Sequence, residues 1–385
     1  MKKQITQDLW YIGVNDSQID LFEGQYRVPY GMSYNSYVIL DEKIAVFDTV
    51  DAHFTKEWLA NLSQTLAGRE PEYLVVSHME PDHSANLAAF MQTYPQAKLV
   101  GNAKTFPMIR QFFGTDFADR AVVVADGDTL SLGRHTLTFL LAPMVHWPEV
   151  MVAYDAFDRT LFSADAFGKF GALDAPQPWE EEARRYYIGI VGKYGAQVQT
   201  LLKKAAALEL ARICPLHGPV LESDLATYLH LYDLWSSYAV EKEGIVLAYT
   251  SVYGHTKAAA ELLCAELAKR TDAKPVILYD LARCDLAQAI SDAFCYGTLV
   301  LAAPTYNGDV FPPMRTFLQG LTERGFRGRK VAFLENGSWA PTAARVMKNL
   351  LETCKELTFV EPTVRVKGAL DAESRAAVCE LAAQL

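Results

Sequence analysis

The stretch Tyr73-Leu-Val-Val-Ser-His-Met-Glu-Pro-Asp-His83 runs from an apolar, strand-like segment into four metal-ligand side chains within six positions. "YLVVS" has the β-branched, apolar character of a buried strand. Pro81 cannot donate to a sheet ladder, so His78, Glu80, Asp82 and His83 belong to the loop that ends the strand. Acidic groups this close repel unless a cation offsets them. The loop therefore reads as a metal-binding segment. Three further residues of ligand type follow apolar runs beside Gly, Pro or a bend: His146 in "PMVHWPEVM", Asp165 in "LFSADAFG" and His217 in "ICPLHGPV". His53, His135 and His230 lack such company and read as ordinary surface or core histidines.

Four histidines and three carboxylates exceed one tetrahedral zinc site and suit two ions sharing a bridging carboxylate, roughly 3.5–4 Å apart. Imidazole with hard oxygen and no thiolate fits iron or manganese as well as zinc. Three carboxylates against two divalent ions leave a charge that one bridging hydroxide would neutralise. The six cysteines are scattered with no CxxC, which argues against a disulfide framework and against a cysteine-ligated metal.

Working outward, 385 residues with 50% hydrophobic and 21% charged content indicate a soluble globular chain of about two domains. No apolar run is long enough to span a bilayer, and "MKKQITQDLW" has no apolar segment behind its lysines, so a cytoplasmic protein without a secretory leader is expected. Residues 1–243 carry 20 Lys+Arg against 31 Asp+Glu, and residues 244–385 carry 16 against 15. That balance gives no support for a nucleic-acid partner. The basic run Arg324, Arg327, Arg329, Lys330 reads as a solvated loop.

A boundary is expected at 243/244. Beyond it, strands at 245–249, 275–279, 298–303, 330–334 and 357–361 alternate with helices, the pattern of a doubly wound parallel sheet. The first part reads as an α/β layout of short strands, with helices at about 55–66, 84–93, 103–112 and 179–208.

The second part carries its own site. "YTSVYGHTKAAAELL" follows a strand and opens a helix, so Ser251, Val252, Tyr253, Gly254, His255 and Thr256 form a hydroxyl-bearing turn suited to a phosphate. It has neither a P-loop lysine nor the dinucleotide glycine fingerprint. Two more loops end strands on the edge where such sheets bind ligands: Pro304, Thr305, Tyr306, Asn307, Gly308, and Asn336, Gly337, Ser338, Trp339, Ala340. Tyr306 and Trp339 could sandwich a flat ring.

Taken together, the HxExDH loop, the HWP, DAFG and HGP segments and the opening "GMSYNSYVILDEKIAVFDTV" resemble, in order, those of the flavodiiron (A-type flavoprotein) family, over nearly the whole chain. The resemblance implies a metallo-β-lactamase-like αββα sandwich (1–243) joined to a flavodoxin-like five-stranded parallel sheet (244–385). It implies one iron on His78, Glu80 and His146, a second on Asp82, His83 and His217, and Asp165 bridging with an oxo or hydroxo group. FMN would bind at the three loops of the second domain. Reduction of O2 to water or of NO to N2O is implied, with electrons from a rubredoxin-like donor, since no fused rubredoxin or NAD-binding module is expected. A head-to-tail homodimer, or a dimer of dimers, is implied as well. Hydrolases of the same superfamily carry HxHxDH, and Glu80 replaces the second histidine here. Glu23 in "LFEGQY" stands where many relatives have a histidine, and Glu23 and Tyr26 are candidate pocket-lining residues. The rival readings are a dinuclear zinc hydrolase with an appended flavodoxin domain, and an electron carrier with an inert metal site.

Overall fold

The computed structural model describes residues 2–385 and divides into two compact units, Met1–Asp233 and Leu234–Leu385. In the first, seven strands lie side by side in chain order: Lys3–Gln4, Leu9–Tyr11, Tyr37–Ile39, Ala45–Phe47, Tyr73–Val75, Lys98–Asn102 and Ala121–Val124. The early pairs are antiparallel; from Ala45–Phe47 onward the pairs are parallel. A second sheet holds Thr129–Ser131, Thr136–Leu141, Met151–Asp155, Thr160–Phe162 and Arg212–Cys214. The inward faces of both sheets, including Tyr37, Phe47, Val75, Phe139, Met151 and Phe162, form one core. Phe47 and Phe162 stack across it at 3.7 Å. Every candidate metal ligand lies on a segment that follows one of these strands, so the two-sheet core fixes where the loops begin.

Two expectations for this unit need revision. Pro81 does not open an irregular loop: it is the first residue of a helical turn, Pro81–Ser84, where its missing N–H costs nothing. The single helix expected over 179–208 is broken. Trp179–Tyr186 is α-helical, Tyr187–Val191 widens to a π turn, Gly192–Tyr194 tightens to 3-10, and Gly195–Ala205 is α-helical again. Gly189, Gly192 and Gly195 recur every three residues here, and glycine weakens the helical preference of each turn.

The second unit is a parallel sheet in the order Val276–Asp280, Lys242–Tyr249, Tyr296–Tyr306, Lys330–Asn336 and Thr358–Val366, with Asp309–Val310 folding back on the central strand. Consecutive residues Ile245 to Ala248 are all buried because helices cover both faces. The strand order reverses direction at Lys242–Tyr249, which opens a crevice at the strands' C-terminal ends.

The units divide at Asp233/Leu234, inside the helix Leu225–Ser237, ten residues before the expected boundary. Arg329 accounts for part of the shift. It is not a solvated residue of a basic loop, as expected, but buried. Its guanidinium donates to the carbonyls of Tyr238 (2.8 Å), Ala239 (3.1 Å) and Phe294, fastening residues 238–239 to the second unit. Arg327 stacks on the Tyr238 ring at 4.1 Å. No helix among the described residues is long and apolar enough to cross a membrane.

Candidate metal centre and ligand cavity

The His78–His83 loop is clamped from the neighbouring strand end. Asp48, just after Ala45–Phe47, accepts from the Ser77 N–H at 2.7 Å and the His78 N–H at 3.3 Å. Thr49 donates its hydroxyl to the His83 carbonyl at 2.8 Å. Asp48 holds this post with φ of 52°, a left-handed conformation uncommon for a non-glycine residue. Ala164 (φ 51°) and Phe167 (φ 67°), on either side of Asp165, share it. Gly168 is required by close approach: a Cβ there would stand 3.0 Å from the Asp165 carbonyl and 3.4 Å from His217 Cβ.

The seven sequence-derived residues converge. His78, Glu80, His146 and Asp165 bring one ligand atom each into a common group, and Asp82, His83 and His217 form a second. Glu80 Oε2 lies 3.2 Å from His78 Nε2 and 3.1 Å from His146 Nε2. Asp82 Oδ2 lies 3.3 Å from both His83 Nε2 and His217 Nε2. Asp165 joins the groups: its Oδ2 is 3.1 Å from His146 Nε2, and its Oδ1 is 3.2 Å from His83 Nε2.

The donor set fits a pair of cations. Both oxygens of Asp82 and Oδ1 of Asp165 are buried without a hydrogen-bond donor among the described residues, a costly state that a cation relieves. His78 Nδ1 donates to Glu149 Oε1 at 2.8 Å and His217 Nδ1 donates to the Ser33 carbonyl at 2.7 Å. Each bond places the proton on Nδ1 and turns the Nε2 lone pair toward the cluster, the arrangement typical of metal-bound histidine. The field of the carboxylates favours positive charge throughout. Against burial, which would raise it, the His83 and His78 rings hold Asp165 well below the usual carboxylate range. Against burial, which would lower it, Asp165 and Glu80 push His146 up to about 9.

Glu149, Asp48 and Ser33 were not singled out from the sequence. Glu149 follows His146 by three residues and Asp48 ends the run "IAVFD", but only the folded chain shows which backbone and ring atoms they meet. Glu23 sits exposed at the turn of the hairpin Leu21–Phe22 and Tyr26–Arg27, where it accepts from Gln25 at 3.1 Å; partial desolvation by the surrounding chain and then the Glu80 carboxylate raise its pKa. Tyr26 donates its hydroxyl to the Gly189 carbonyl at 2.8 Å and packs on Phe170. Phe22, Tyr34 and Tyr186 are the rings packed edge-on around His217, at 5.5, 5.9 and 5.5 Å. His135 is buried, with Nδ1 2.9 Å from Asp155 and Nε2 3.2 Å from Asp8. Asp158, near it, accepts from Thr6, so this trio is a satisfied polar network.

In the second unit a cavity of about 540 Å³ opens at the strand ends. Its wall includes fifteen of the sixteen expected positions: Ser251, Val252, Tyr253, His255, Thr256, the run 304–308 and the run 336–340. Gly254 is not on the wall. It is the N-cap of helix His255–Ala268, with φ of 90°. Thr342 and Gly368 line the cavity too and were missed. The Thr250 hydroxyl, buried where this loop begins, has no partner among the described residues. Tyr306 and Trp339 are 42% and 83% exposed, so both rings are available to a flat ligand. A helix N-terminus with hydroxyls beside it and aromatic rings across from it suits a planar, phosphate-bearing molecule.

The sequence model of the ODP family beta lactamase matches residues 32–218. Over 373 residues the chain is 30% identical to the rubredoxin-oxygen oxidoreductase of Megalodesulfovibrio gigas, covering 92% of this chain and 90% of that protein. It belongs to the flavodiiron family. The nitric oxide reductase of Moorella thermoacetica is 28% identical, over 93% of this chain and 91% of its own length. The crystal structure of the flavodiiron protein from Giardia intestinalis superposes with a TM-score of 0.91 at 24% identity, covering 100% of this chain and 96% of that one, which shows a shared fold. The αββα unit followed by a flavodoxin-like parallel sheet is thus the flavodiiron architecture.

Proposed function

We propose that this flavodiiron chain is a cytoplasmic oxidoreductase that reduces O2 to water, NO to N2O, or both, at a diiron site supplied with electrons through FMN. The observation that carries the reading is Asp165, whose two carboxylate oxygens face two separate ligand groups. In this reading the unit Met1–Asp233 is the diiron domain and the unit Leu234–Leu385 the FMN domain. His78, Glu80 and His146 hold one iron, Asp82, His83 and His217 the other, and Asp165 spans both. Two ferrous ions and a fully reduced flavin would hold four electrons between them, the number that O2 needs to reach water.

The chain's own residues prepare the site. Glu149 and Ser33 fix the imidazole tautomers. The rings of Phe22, Tyr34 and Tyr186 enclose His217, and Trp147 packs edge-on against His78 at 5.2 Å, which keeps bulk water off the nitrogens. Two substrate molecules held side by side there would gain the advantage of proximity. In the second domain, Ser251–Thr256 would take the FMN phosphate, and the loops carrying Tyr306 and Trp339 the ring. A rubredoxin-like protein is the proposed donor. A head-to-tail homodimer, alone or paired, would let exposed Tyr253, Tyr306 and Trp339 face a second copy.

The test is purification without oxygen, measurement of iron, zinc and flavin, reduction by a rubredoxin, and separate O2 and NO consumption assays. Iron and FMN with turnover of either gas support the proposal. Zinc with ester or lactam hydrolysis and no gas consumption would overturn it in favour of the hydrolase reading.

A further inference from the structure

His217 reaches its ligand group from a segment far along the chain from Asp82 and His83, and residues 33–37 grip that segment at each of its residues 215–218. The Asn35 side chain donates from Nδ2 to the carbonyls of Pro215 and Gly218, both at 2.7 Å. The Asn35 N–H donates to the Leu216 carbonyl at 2.8 Å. The Tyr37 hydroxyl donates to the Pro215 carbonyl at 2.7 Å. Ser33 accepts twice, its hydroxyl from the Gly218 N–H and its carbonyl from His217 Nδ1, both at 2.7 Å. Ser33, Asn35 and Tyr37 are all fully buried, so these bonds lie away from bulk water. Asn35 Oδ1 is left with no donor among the described residues. An unpaired buried acceptor is costly, and it is tolerated here while both amide hydrogens point at the two carbonyls that bracket His217.

The other ligand group is anchored by different residues: Glu149 accepts from His78 Nδ1, and Asp48 from the backbone of Ser77 and His78. Ligand atoms work only when held to within about 0.5 Å of their productive positions. His217 Nε2 stands 3.3 Å from Asp82 Oδ2 and 3.0 Å from His83 Nε2, and a shift of residues 215–218 would change both distances. We propose that Asn35, assisted by Ser33, is a positioning residue for one cation of the pair. It holds His217 in place and so governs the Asp82, His83, His217 position separately from the His78, Glu80, His146 position. The inference rests on the two-cation reading of the site, but on neither the identity of the metal nor the presence of a flavin.

The experiment counts metal on the full-length protein. Protein equilibrated with excess Zn(II) is dialysed against a graded series of EDTA concentrations, and zinc per chain is measured by elemental mass spectrometry. The parent is expected to take up a pair of zinc ions. Asn35→Asp keeps the shape and removes the donors, so one zinc should leave at about tenfold lower EDTA while the other leaves as in the parent. Ser33→Ala loses only the hydroxyl and keeps the carbonyl that faces His217. It should loosen the same zinc to a smaller extent, and it carries the test if Asn35→Asp does not fold. Ligand variants assign the position. Added to His217→Ala, Asn35→Asp should leave retention of the remaining zinc unchanged; added to His146→Ala, it should loosen the remaining zinc about tenfold. A general loss of stability would loosen both ions together, so equal loosening would overturn the proposal, as would parental retention of both ions in both variants. A parent that takes up no zinc would instead overturn the two-cation reading on which the proposal stands.

Discussion

Oε1 of Glu149 stands 2.8 Å from Nδ1 of His78 and accepts the Met79 N–H at the same distance. One buried carboxylate thus fixes both the ring and the backbone of the loop that carries four candidate ligands. Burial would raise its pKa, but the bond to His78 holds it below the usual range. Glu149→Gln keeps an acceptor and loses the charge; it should weaken metal binding about tenfold. Glu149→Ala loses both and should approach a hundredfold. Competition against a chelator measures each, and equal affinity in all three proteins would remove Glu149 from this role.

Asp165 is placed to serve both ligand groups, whereas Glu80 and Asp82 serve one group each. Asp165→Asn should therefore lower metal content at both positions, to well under half of the parent's. Glu80→Gln should spare the Asp82, His83, His217 position. Metal analysis of the two variants, prepared identically, distinguishes a bridging carboxylate from a terminal one. A variant Asp165→Asn that retains full metal would contradict the bridge.

In the second unit, Thr305 Oγ1 accepts from the Thr342 N–H at 2.9 Å and the Ala343 N–H at 3.2 Å, capping the helix Ala343–Leu350 from another loop. Two walls of the ligand cavity are thereby tied together. Thr305→Val should cost about 1 kcal/mol of stability, the usual worth of a cap. It should also raise the rate of flavin loss. Thermal melting and the release of flavin fluorescence on dilution report the two effects separately.

His135 gives a pH prediction away from the metal ligands. Burial lowers its pKa, but Asp155 and Asp8 outweigh burial and the net shift is upward. Asp158 adds to the pull, Asp41 accepts the His135 N–H at 2.7 Å, and Arg134, on Asp8, opposes it. A raised folded-state value means that the stabilisation is fully present below the ordinary imidazole pKa, about 6.5. It is lost as pH rises through the folded value. The stability gap between the parent and His135→Gln, from urea melts, should be larger near about pH 6 than near about pH 9. A gap that widens with pH would contradict the assignment.

The architecture was legible where the sequence states it locally. Apolar runs ending in polar loops gave the strands of both units, and the 245–249, 298–303 and 330–334 segments lie inside the observed parallel strands. Short elements were not legible. Val14–Asp16 with Met32–Tyr34, and Leu21–Phe22 with Tyr26–Arg27, are two- and three-residue pairings too brief to show a period. The 187–194 break was missed because the apolar pattern continues through the glycines that disrupt the backbone.

The candidate metal ligands could be named from the chain alone because their types are chemically distinctive and each follows a strand-like run. Their division into two groups, with Asp165 between them, needed a resemblance to relatives, and the distances that bring them together needed the fold, since residues 78 to 217 meet only through the packing of two sheets. The same holds for Glu149, Asp48 and Thr305: a carboxylate or hydroxyl is a common residue, and its partner is chosen by tertiary contact. Sequence by itself determined which side chains could bind cations and where a hydroxyl-bearing turn opens a helix. Only the folded structure decided which donors find acceptors and which, like the Tyr11 hydroxyl, are left without one, because hydrogen-bond satisfaction depends on distance and direction in space.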